Sequence, residues 1–214
     1  MVEIIPAILP HSVQELEEGL SKLKGVAPFV QIDLVGKNVL TGMETIPLWE
    51  SFDFECDIML PNPSAEVQEC IDVGASRIVV HANLESAREA LEKLQKVRAG
   101  DFAIAVGVAL GAHDMPEELQ KFENLYDYVQ VMGIDEVGKQ GGPPDPHHHE
   151  IVLIAELRKR FPNLFIQVDG GVAPHVRELA HAGANRLIVG SAIMNSDNPK
   201  ALIQSLYTEA NAGS

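Results

Sequence analysis

Two aspartates, Asp33 and Asp169, lie at the ends of short apolar runs whose composition is typical of buried strands. Two carboxyl groups in a partly dry pocket can hold different pKa values, so that one acts as a base while the other acts as an acid. A single aspartate at a strand end is commonly only a helix cap. Because both point inward by the alternation described below, we interpret them as a catalytic pair. We expect them to be the only strong acid–base groups of the site.

Two glycine-containing segments predict a phosphate site. Gly170 and Gly171 directly follow Asp169, and Gly190 with Ser191 follows the last apolar run. In α/β barrels the loops after the seventh and eighth strands commonly bind phosphate through backbone N–H groups. Glycine leaves room for the phosphate oxygens to approach. We therefore expect these four residues to hold a phosphate group.

A long segment rich in glycine and proline, residues 133–146, precedes three consecutive histidines. Such a segment is either a mobile lid or an ordered insertion. In the lid interpretation, Gly138, Lys139 and Gln140 close on a ligand. Successive side chains on a helix diverge, so the histidines at 147–149 make a poor metal triad and are interpreted as a polar helix face.

These residues need elements that bring them together. Short apolar runs bounded by Gly, Pro or Asn predict eight strands, at residues 2–9, 29–34, 56–60, 77–82, 102–110, 128–132, 164–169 and 186–190. Amphipathic stretches predict helices at 13–24, 64–73, 85–97, 148–161, 176–182 and 200–210, with a weak, Pro-broken element at 41–52. Eight units over 214 residues give about 27 residues per unit, the density of a (β/α)8 TIM barrel. The alternative is an open doubly wound sheet. No segment reads as a linker, so we expect a single domain over residues 1–214.

One five-residue pattern recurs in three predicted strands, at residues 29–33, 128–132 and 165–169. Since positions i and i+2 of a strand share a face, Gln31, Gln130 and Gln167 should all point one way. Glutamine is acceptable in a barrel interior where neighbours satisfy its amide, which favours the closed barrel. Extending the alternation predicts an inward ring at the strand ends: Ala7, Asp33, Met59, His81, Ala109, Met132 and Asp169, then Gly190 and Ser191. Of these, Ala7, Met59, His81 and Met132 are expected to form the pocket wall.

The charge balance excludes several partners. The chain carries 31 acids and 16 bases, a formal net charge of −15. Such a surface disfavours nucleic acid and anionic membranes. The start of the sequence lacks a basic segment followed by a long apolar one, so we expect no signal peptide and a cytoplasmic protein. Two cysteines provide no disulfide framework, which fits a reducing compartment.

Several of these motifs, in their order along the chain, resemble those of the ribulose-phosphate 3-epimerase family. The most specific are Val-Asp-Gly-Gly at 168–171 and Gly-Ser-Ala-Ile at 190–193, and the others are Pro-Ala-Ile-Leu at 6–9, Gln-Ile-Asp at 31–33, Asp-Ile-Met at 57–59 and Val-His at 80–81. The resemblance covers nearly the whole chain. It implies a ribulose-phosphate-binding barrel that inverts one carbon of a pentulose 5-phosphate in pentose phosphate metabolism. It further implies Asp33 and Asp169 as the proton-transfer pair, and Gly138 with Gln140 in a closing loop.

The sequence departs from this family at the metal ligands. The resemblance implies a divalent metal (Zn, Fe or Mn) held by two histidines and two aspartates. The aspartates are present as Asp33 and Asp169, but the histidine positions hold Gln31 and Met59. Two carboxylates alone are too few ligands for a typical zinc site, which usually includes His or Cys, and thioether sulfur is a poor zinc ligand. We therefore expect the phosphate-binding residues to be retained and the metal site to be lost, and we assign no cofactor.

Two further functions stay open from the sequence. One is a related phosphosugar lyase or aldolase, against which the absence of an inward strand lysine counts. The other is a barrel that binds a phosphosugar without catalysis. In every case the expected partner is a small phosphosugar, and the family resemblance allows a homo-oligomer.

Overall fold

A computed structural model describes residues 1–98, 100, 103–134, 138 and 147–212 of the chain. Eight parallel strands form a closed barrel in sequence order, with the eighth strand pairing with the first. The strands are β1 (Glu3–Ile8), β2 (Phe29–Leu34), β3 (Asp53–Ile58), β4 (Arg77–His81), β5 (Ala105–Leu110), β6 (Tyr128–Met132), β7 (Phe165–Asp169) and β8 (Arg186–Val189). The predicted (β/α)8 barrel is confirmed, and the open-sheet alternative is wrong.

Helices follow most strands and cover the outside of the barrel. They are α1 (Val13–Leu23), α2 (Pro63–Asp72), α3 (Ala87–Arg98), α4 (His149–Arg160), α5 (Val176–Ala182), α6 (Ser191–Met194) and α7 (Pro199–Ala210). The outward faces of the strands are apolar and mostly aliphatic, as at Val30 and Ile32, and they pack on apolar helix stripes such as Leu16 and Leu20 of α1. This burial of aliphatic side chains between the sheet and the helices is the main stabilising contribution.

The element that was predicted to be weak is a single 3-10 turn. Residues 41–52 contain only Trp49–Ser51 in helical form, preceded by Leu48 at a φ of 57°. Pro47 lacks an N–H and cannot continue a helical hydrogen-bond pattern through the segment. Three short elements of the described residues were not predicted, namely α6 and the 3-10 helices at Pro116–Phe122 and Ala173–His175.

The third strand begins and ends earlier than predicted. The sequence prediction placed it at residues 56–60, whereas β3 spans Asp53–Ile58. Its first residues, which include the charged Asp53 and Glu55, pair in register with β2. Acidic side chains hide a strand from a hydrophobicity pattern, because only a closed barrel with partners inside can bury them. The register of β3 with β2 places Asp57 opposite Asp33.

The strands alternate as predicted between the helix layer and the barrel interior. Gln31, Gln130 and Gln167 are all fully buried and hydrogen-bonded to one another through the interior. The interior face of β5 is small, since a side chain at Gly107 would come within 2.6 Å of the Tyr128 ring. That space lets the Tyr128 ring lie across the lower barrel, beside Phe165.

Within the residues that the structure describes, no helix combines the length and apolar character that a membrane crossing requires.

Candidate active site

A cavity of about 240 Å³ opens at the carboxyl ends of the strands. Most of the predicted ring meets there, because parallel strands in a barrel end at one face, but His81 and Ala109 do not line the cavity. The lining residues are Ala7, Leu9, Asp33, Met59, Met132, Ile134, Gly138, Asp169, Gly170, Gly171, Val172, Ala173, Pro174, Ile188, Val189, Gly190, Ser191 and Ala192. The expected wall residues Ala7, Met59 and Met132 are among them, whereas Gln140 falls outside the described residues.

Three carboxyl groups, rather than two, cluster at the base of the cavity: Asp33 and Asp169 line it, and the fully buried Asp57 lies beside them. One carboxylate oxygen from each of Asp33, Asp57 and Asp169 lies within 4.8 Å of the others. The expectation of only two acid–base groups is therefore wrong. Asp57 lies two residues before Met59 on the same strand face and pairs in register with Asp33, so the alternation already predicts that it points inward. It was missed because only the last inward position of each strand was considered.

Crowding of these carboxyl groups changes their acidity. Burial raises the pKa of Asp169 to about 7, the charge of Asp57 adds to the rise, and a hydrogen bond from Gln31 opposes it. Burial raises the pKa of Asp33 well above its usual value, and the charges of Asp169 and Asp57 raise it further. Like charges so close disfavour simultaneous ionisation. Near neutral pH the pair therefore favours one ionised and one protonated carboxyl group.

The side chain of His81 points toward Asp57 and does not line the cavity. Its Nε2 lies 2.9 Å from Oδ1 of the fully buried Asp57, and only 4 % of the histidine is exposed. Burial lowers the pKa of His81, but the charge and hydrogen bond of Asp57 and the charge of Asp169 outweigh that effect and raise the pKa overall. The predicted wall position is corrected accordingly, because the buried carboxylate draws the imidazole away from the cavity.

Two glutamine amides donate hydrogen bonds upward to the carboxyl cluster. Gln31 Nε2 bridges the pair, at 2.8 Å from Oδ1 of Asp33 and 2.9 Å from Oδ2 of Asp169. Gln130 Nε2 lies 2.7 Å from Oδ2 of Asp57. Each donor favours the ionised form of the carboxyl group it contacts. The amides thus offset part of the cost of placing three acids together.

A second polar layer lies beneath these amides. Gln167 Nε2 donates to Gln130 Oε1 and Glu55 Oε1, both at 2.6 Å, and to Gln31 Oε1 at 3.2 Å. Arg186 Nη1 donates to Gln167 Oε1 at 2.8 Å. The Tyr128 hydroxyl donates to Glu55. Sequence reasoning found the inward glutamines but missed Glu55 and Arg186, whose charges are buried only because each finds partners across the barrel.

The glycine segments form one side of the cavity. Gly170 and Gly171 have positive φ values of 91° and 63°, and both line the cavity with Gly190 and Ser191. The turn is closely packed, since Gly133 N donates to Asp169 O at 2.7 Å and a Cβ at Gly133 would lie 2.3 Å from Gly170 O. Gly138, with a φ of 85°, reaches the same cavity. Five residues that the sequence predicted to bind phosphate or substrate thus line one opening: Gly138, Gly170, Gly171, Gly190 and Ser191.

The residues present do not fit the metal that the resemblance implies. The two histidine ligands of that metal are replaced by Gln31 and Met59. The amide of Gln31 directs its N–H groups at Asp33 and Asp169, and Met59 offers only a thioether. The nearby imidazole of His81 is engaged by Asp57. A cation bridging Asp33 and Asp169 would compete with the Gln31 hydrogens, which already occupy one oxygen of each carboxylate. No chemical step is therefore derived through a metal.

Comparison with known proteins gives consistent results. The profile of the family described as "Ribulose-phosphate 3 epimerase family" matches residues 3–194. The chain is 28 % identical over 218 residues to a ribulose-phosphate 3-epimerase of Schizosaccharomyces pombe, covering 95 % of this chain and 92 % of that protein. It is 34 % identical over 157 residues to the cytoplasmic isoform from Oryza sativa subsp. japonica, covering 71 % and 66 %.

Solved structures share the fold at low identity. The 3-hexulose-6-phosphate synthase of Salmonella typhimurium superposes with a TM-score of 0.68 at 17 % identity, over 100 % of both chains. KGPDC from Streptococcus mutans gives a TM-score of 0.68 at 12 % identity, over 99 % of this chain and 98 % of that one.

Proposed function

The chain belongs to the ribulose-phosphate 3-epimerase family, and on that premise we propose that it epimerises carbon 3 of a pentulose 5-phosphate by proton transfer between two carboxyl groups. The observation that carries the proposal is the pair Asp33 and Asp169, both inward and both with a raised pKa, beside a glycine-lined opening. A ketose that carries a phosphate at the end away from its carbonyl group matches this site. The carboxyl groups lie at one end of the cavity, and glycine backbone lines the other.

The proton step needs one carboxyl group in each protonation state. The ionised member takes the proton from the carbon beside the ketone, and the bonding electrons move onto the carbonyl oxygen to give an enediolate. The protonated member then delivers its proton to the opposite face of that carbon, which inverts it. Because crowding disfavours two charges on the pair, the resting state already holds one acid and one base.

The negative charge of the enediolate requires a hydrogen-bond donor. A carboxyl group that stays neutral near pH 7 can donate its O–H to a developing oxyanion. The raised pKa of Asp33 keeps it in this neutral form, so its O–H can donate to the carbonyl oxygen while the enediolate forms. That hydrogen bond ends when Asp33 gives the same proton to carbon 3.

At the other end, backbone N–H groups hold the phosphate. They belong to Gly170, Gly171, Gly190 and Ser191, and Gly138 contributes from the segment after β6. All five line the cavity. With no Cβ at four of these positions, phosphate oxygens can approach the backbone closely. Gln140 is proposed to act with Gly138, by family resemblance alone.

Two alternatives are weaker. A Schiff-base lyase or aldolase needs a pocket lysine, and the cavity residues that the structure describes include none. A barrel that only binds phosphosugars is favoured by one observation, the replacement of both metal-ligand histidines. The retained carboxyl pair argues against it, since acids beside an anionic ligand add nothing to binding.

Family membership also supports a role in pentose phosphate metabolism and a cytoplasmic location, as in the rice relative named above. Association into a homo-oligomer stays a prediction.

The proposal is tested by incubating the purified chain with ribulose 5-phosphate and measuring formation of its C3 epimer, with and without added Zn²⁺, Mn²⁺ or Fe²⁺. We expect turnover that Asp33→Asn and Asp169→Asn each reduce by at least about 100-fold. Phosphosugar binding that survives Asp169→Asn, with no turnover by the wild type in any condition, would establish the non-catalytic alternative instead.

A further inference from the structure

The amides inside the barrel have a fixed polarity. Arg186 has only donors, so Gln167 must present its Oε1 to the guanidinium and its Nε2 to the opposite side. That Nε2 donates to the Oε1 atoms of Gln31 and Gln130, which leaves both of their NH2 groups facing upward. At the top, the NH2 group of Gln31 lies against one oxygen each of Asp33 and Asp169, and that of Gln130 lies against Asp57. Arg186 thus sets the orientation of Gln167, which shares its two amide hydrogens among Gln130, Gln31 and Glu55.

Arg186 is itself held rigidly. It is 6 % exposed, its Nε donates to Glu3 Oε2 at 2.9 Å, and its guanidinium lies 4.5 Å from the centre of the Phe165 ring. Gln31 and Gln167 are fully buried. Neither Arg186 nor Gln167 lines the cavity, so neither can contact a substrate there.

We propose that this amide chain takes the place of a cation: Gln31 bridges Asp33 and Asp169 through its two N–H groups, and Arg186 and Gln167 are positioning residues that keep it turned that way. The three aspartates alone would make an oxygen site for a hard divalent cation, because their oxygens lie within 4.8 Å of one another. The amide hydrogens of Gln31 point at Asp33 and Asp169, so a cation between these two carboxyl groups would meet their positive partial charge. If Gln31 were reversed, its Oε1 would join the three carboxylates as a fourth oxygen ligand.

The first test measures Mn²⁺ affinity by electron paramagnetic resonance on the full chain. In Gln167→Met the partner that fixes Gln31 is lost, and in Gln31→Met the donors themselves are lost, while neither change adds charge. We expect both variants to bind Mn²⁺ at least about tenfold more tightly than the wild type. The exposed substitution Gln204→Met on α7 is the matched control and should leave the affinity unchanged.

Structural damage alone does not create a metal site, so a gain of affinity identifies the positioning role. Circular dichroism shows which variants fold, and either folded variant decides the question by itself. Equal Mn²⁺ affinity in the wild type and a folded variant overturns the inference. So does tight Mn²⁺ binding by the wild type, at submicromolar concentration, whichever variants fold.

The kinetic consequence rests on the proposed function. Gln31→Met should lower kcat by at least about tenfold while KM stays within about threefold, since Gln31 orders the carboxyl pair without lining the cavity. If the wild type has no epimerase activity but the variants gain Mn²⁺ affinity, the proposed function fails and the amide chain stands. If the wild type is active and the variants gain nothing, the inference fails alone.

Discussion

Asp169 lies among two other carboxyl groups and is 8 % exposed, a position that favours catalysis over stability. Its pKa is raised in the folded chain to about 7, chiefly by burial, whereas an unfolded aspartate titrates near its ordinary value of about 4. Between these values the folded state binds more protons than the unfolded state. The free energy of unfolding therefore falls as the pH rises through this window.

The corresponding residue prediction concerns Asp169→Asn. At about pH 8.5 this variant should be more stable than the wild type by about 1–3 kcal/mol, because a buried charge beside like charges is removed. The advantage should shrink toward about pH 5, where the wild-type carboxyl group is protonated. Urea denaturation across this range measures it, with the exposed Asp72→Asn as control. Equal or lower stability of Asp169→Asn at the high pH would contradict the assignment.

Among single residues, the sequence placed Asp33, Asp169 and the glycine segments at strand ends, and the structure has them there beside the cavity. Their roles stay predictions. Asp57 was missed although it lies inside the strand predicted at 56–60, because only the positions at the strand ends were considered as site residues. The roles of Glu55 and Arg186 were out of reach, since a buried charge is interpretable only once its partners across the barrel are known.

At the level of elements, the ends of β6 and β7 hold the glycine turn in place. Gly133, just after β6, donates to the backbone oxygen of Asp169, and no side chain fits between Gly133 and Gly170. The turn that carries the proposed phosphate donors is thus positioned by a neighbouring strand rather than by its own sequence. Local pattern placed Gly170 and Gly171 after β7 but could not reveal this dependence on β6.

The element prediction is that Gly133→Ala displaces the Gly170 peptide. A Cβ at this position would lie 2.3 Å from Gly170 O, so we expect KM for the phosphosugar to rise at least about tenfold and the free energy of unfolding to fall by about 1–3 kcal/mol. Steady-state kinetics and urea denaturation measure the two effects. Gly36→Ala is the matched control, because a Cβ there meets only Val39, at 4.0 Å. If Gly133→Ala behaves like the control, the turn is not braced in this way.

At the scale of the whole molecule, the net charge of −15 opposes the binding of a dianion. The cavity residues that the structure describes include no lysine or arginine, so binding depends on backbone donors acting at short range. Salt screens the long-range repulsion more than it weakens these close contacts. Closure of the barrel, which the strand count and the inward glutamines predicted correctly, is what brings those donors opposite the acids.

The prediction at this scale is that KM for the phosphosugar falls by about two- to fivefold when ionic strength rises from about 20 to 200 mM. Steady-state kinetics in NaCl measures the change, and sucrose at equal osmolality serves as the uncharged control. A KM that rises steeply with salt would instead indicate that mobile cationic side chains dominate binding.

The central claim is that Asp33 and Asp169 act on opposite faces of one carbon, and solvent deuterium exchange at carbon 3 tests it most directly. Each single variant, Asp33→Asn and Asp169→Asn, is incubated in D2O with each of the two epimers. We predict that each variant exchanges the proton of one epimer only, a different one for each, and interconverts neither. Epimerisation by either variant at the wild-type rate, or no exchange by the wild type, would contradict the account.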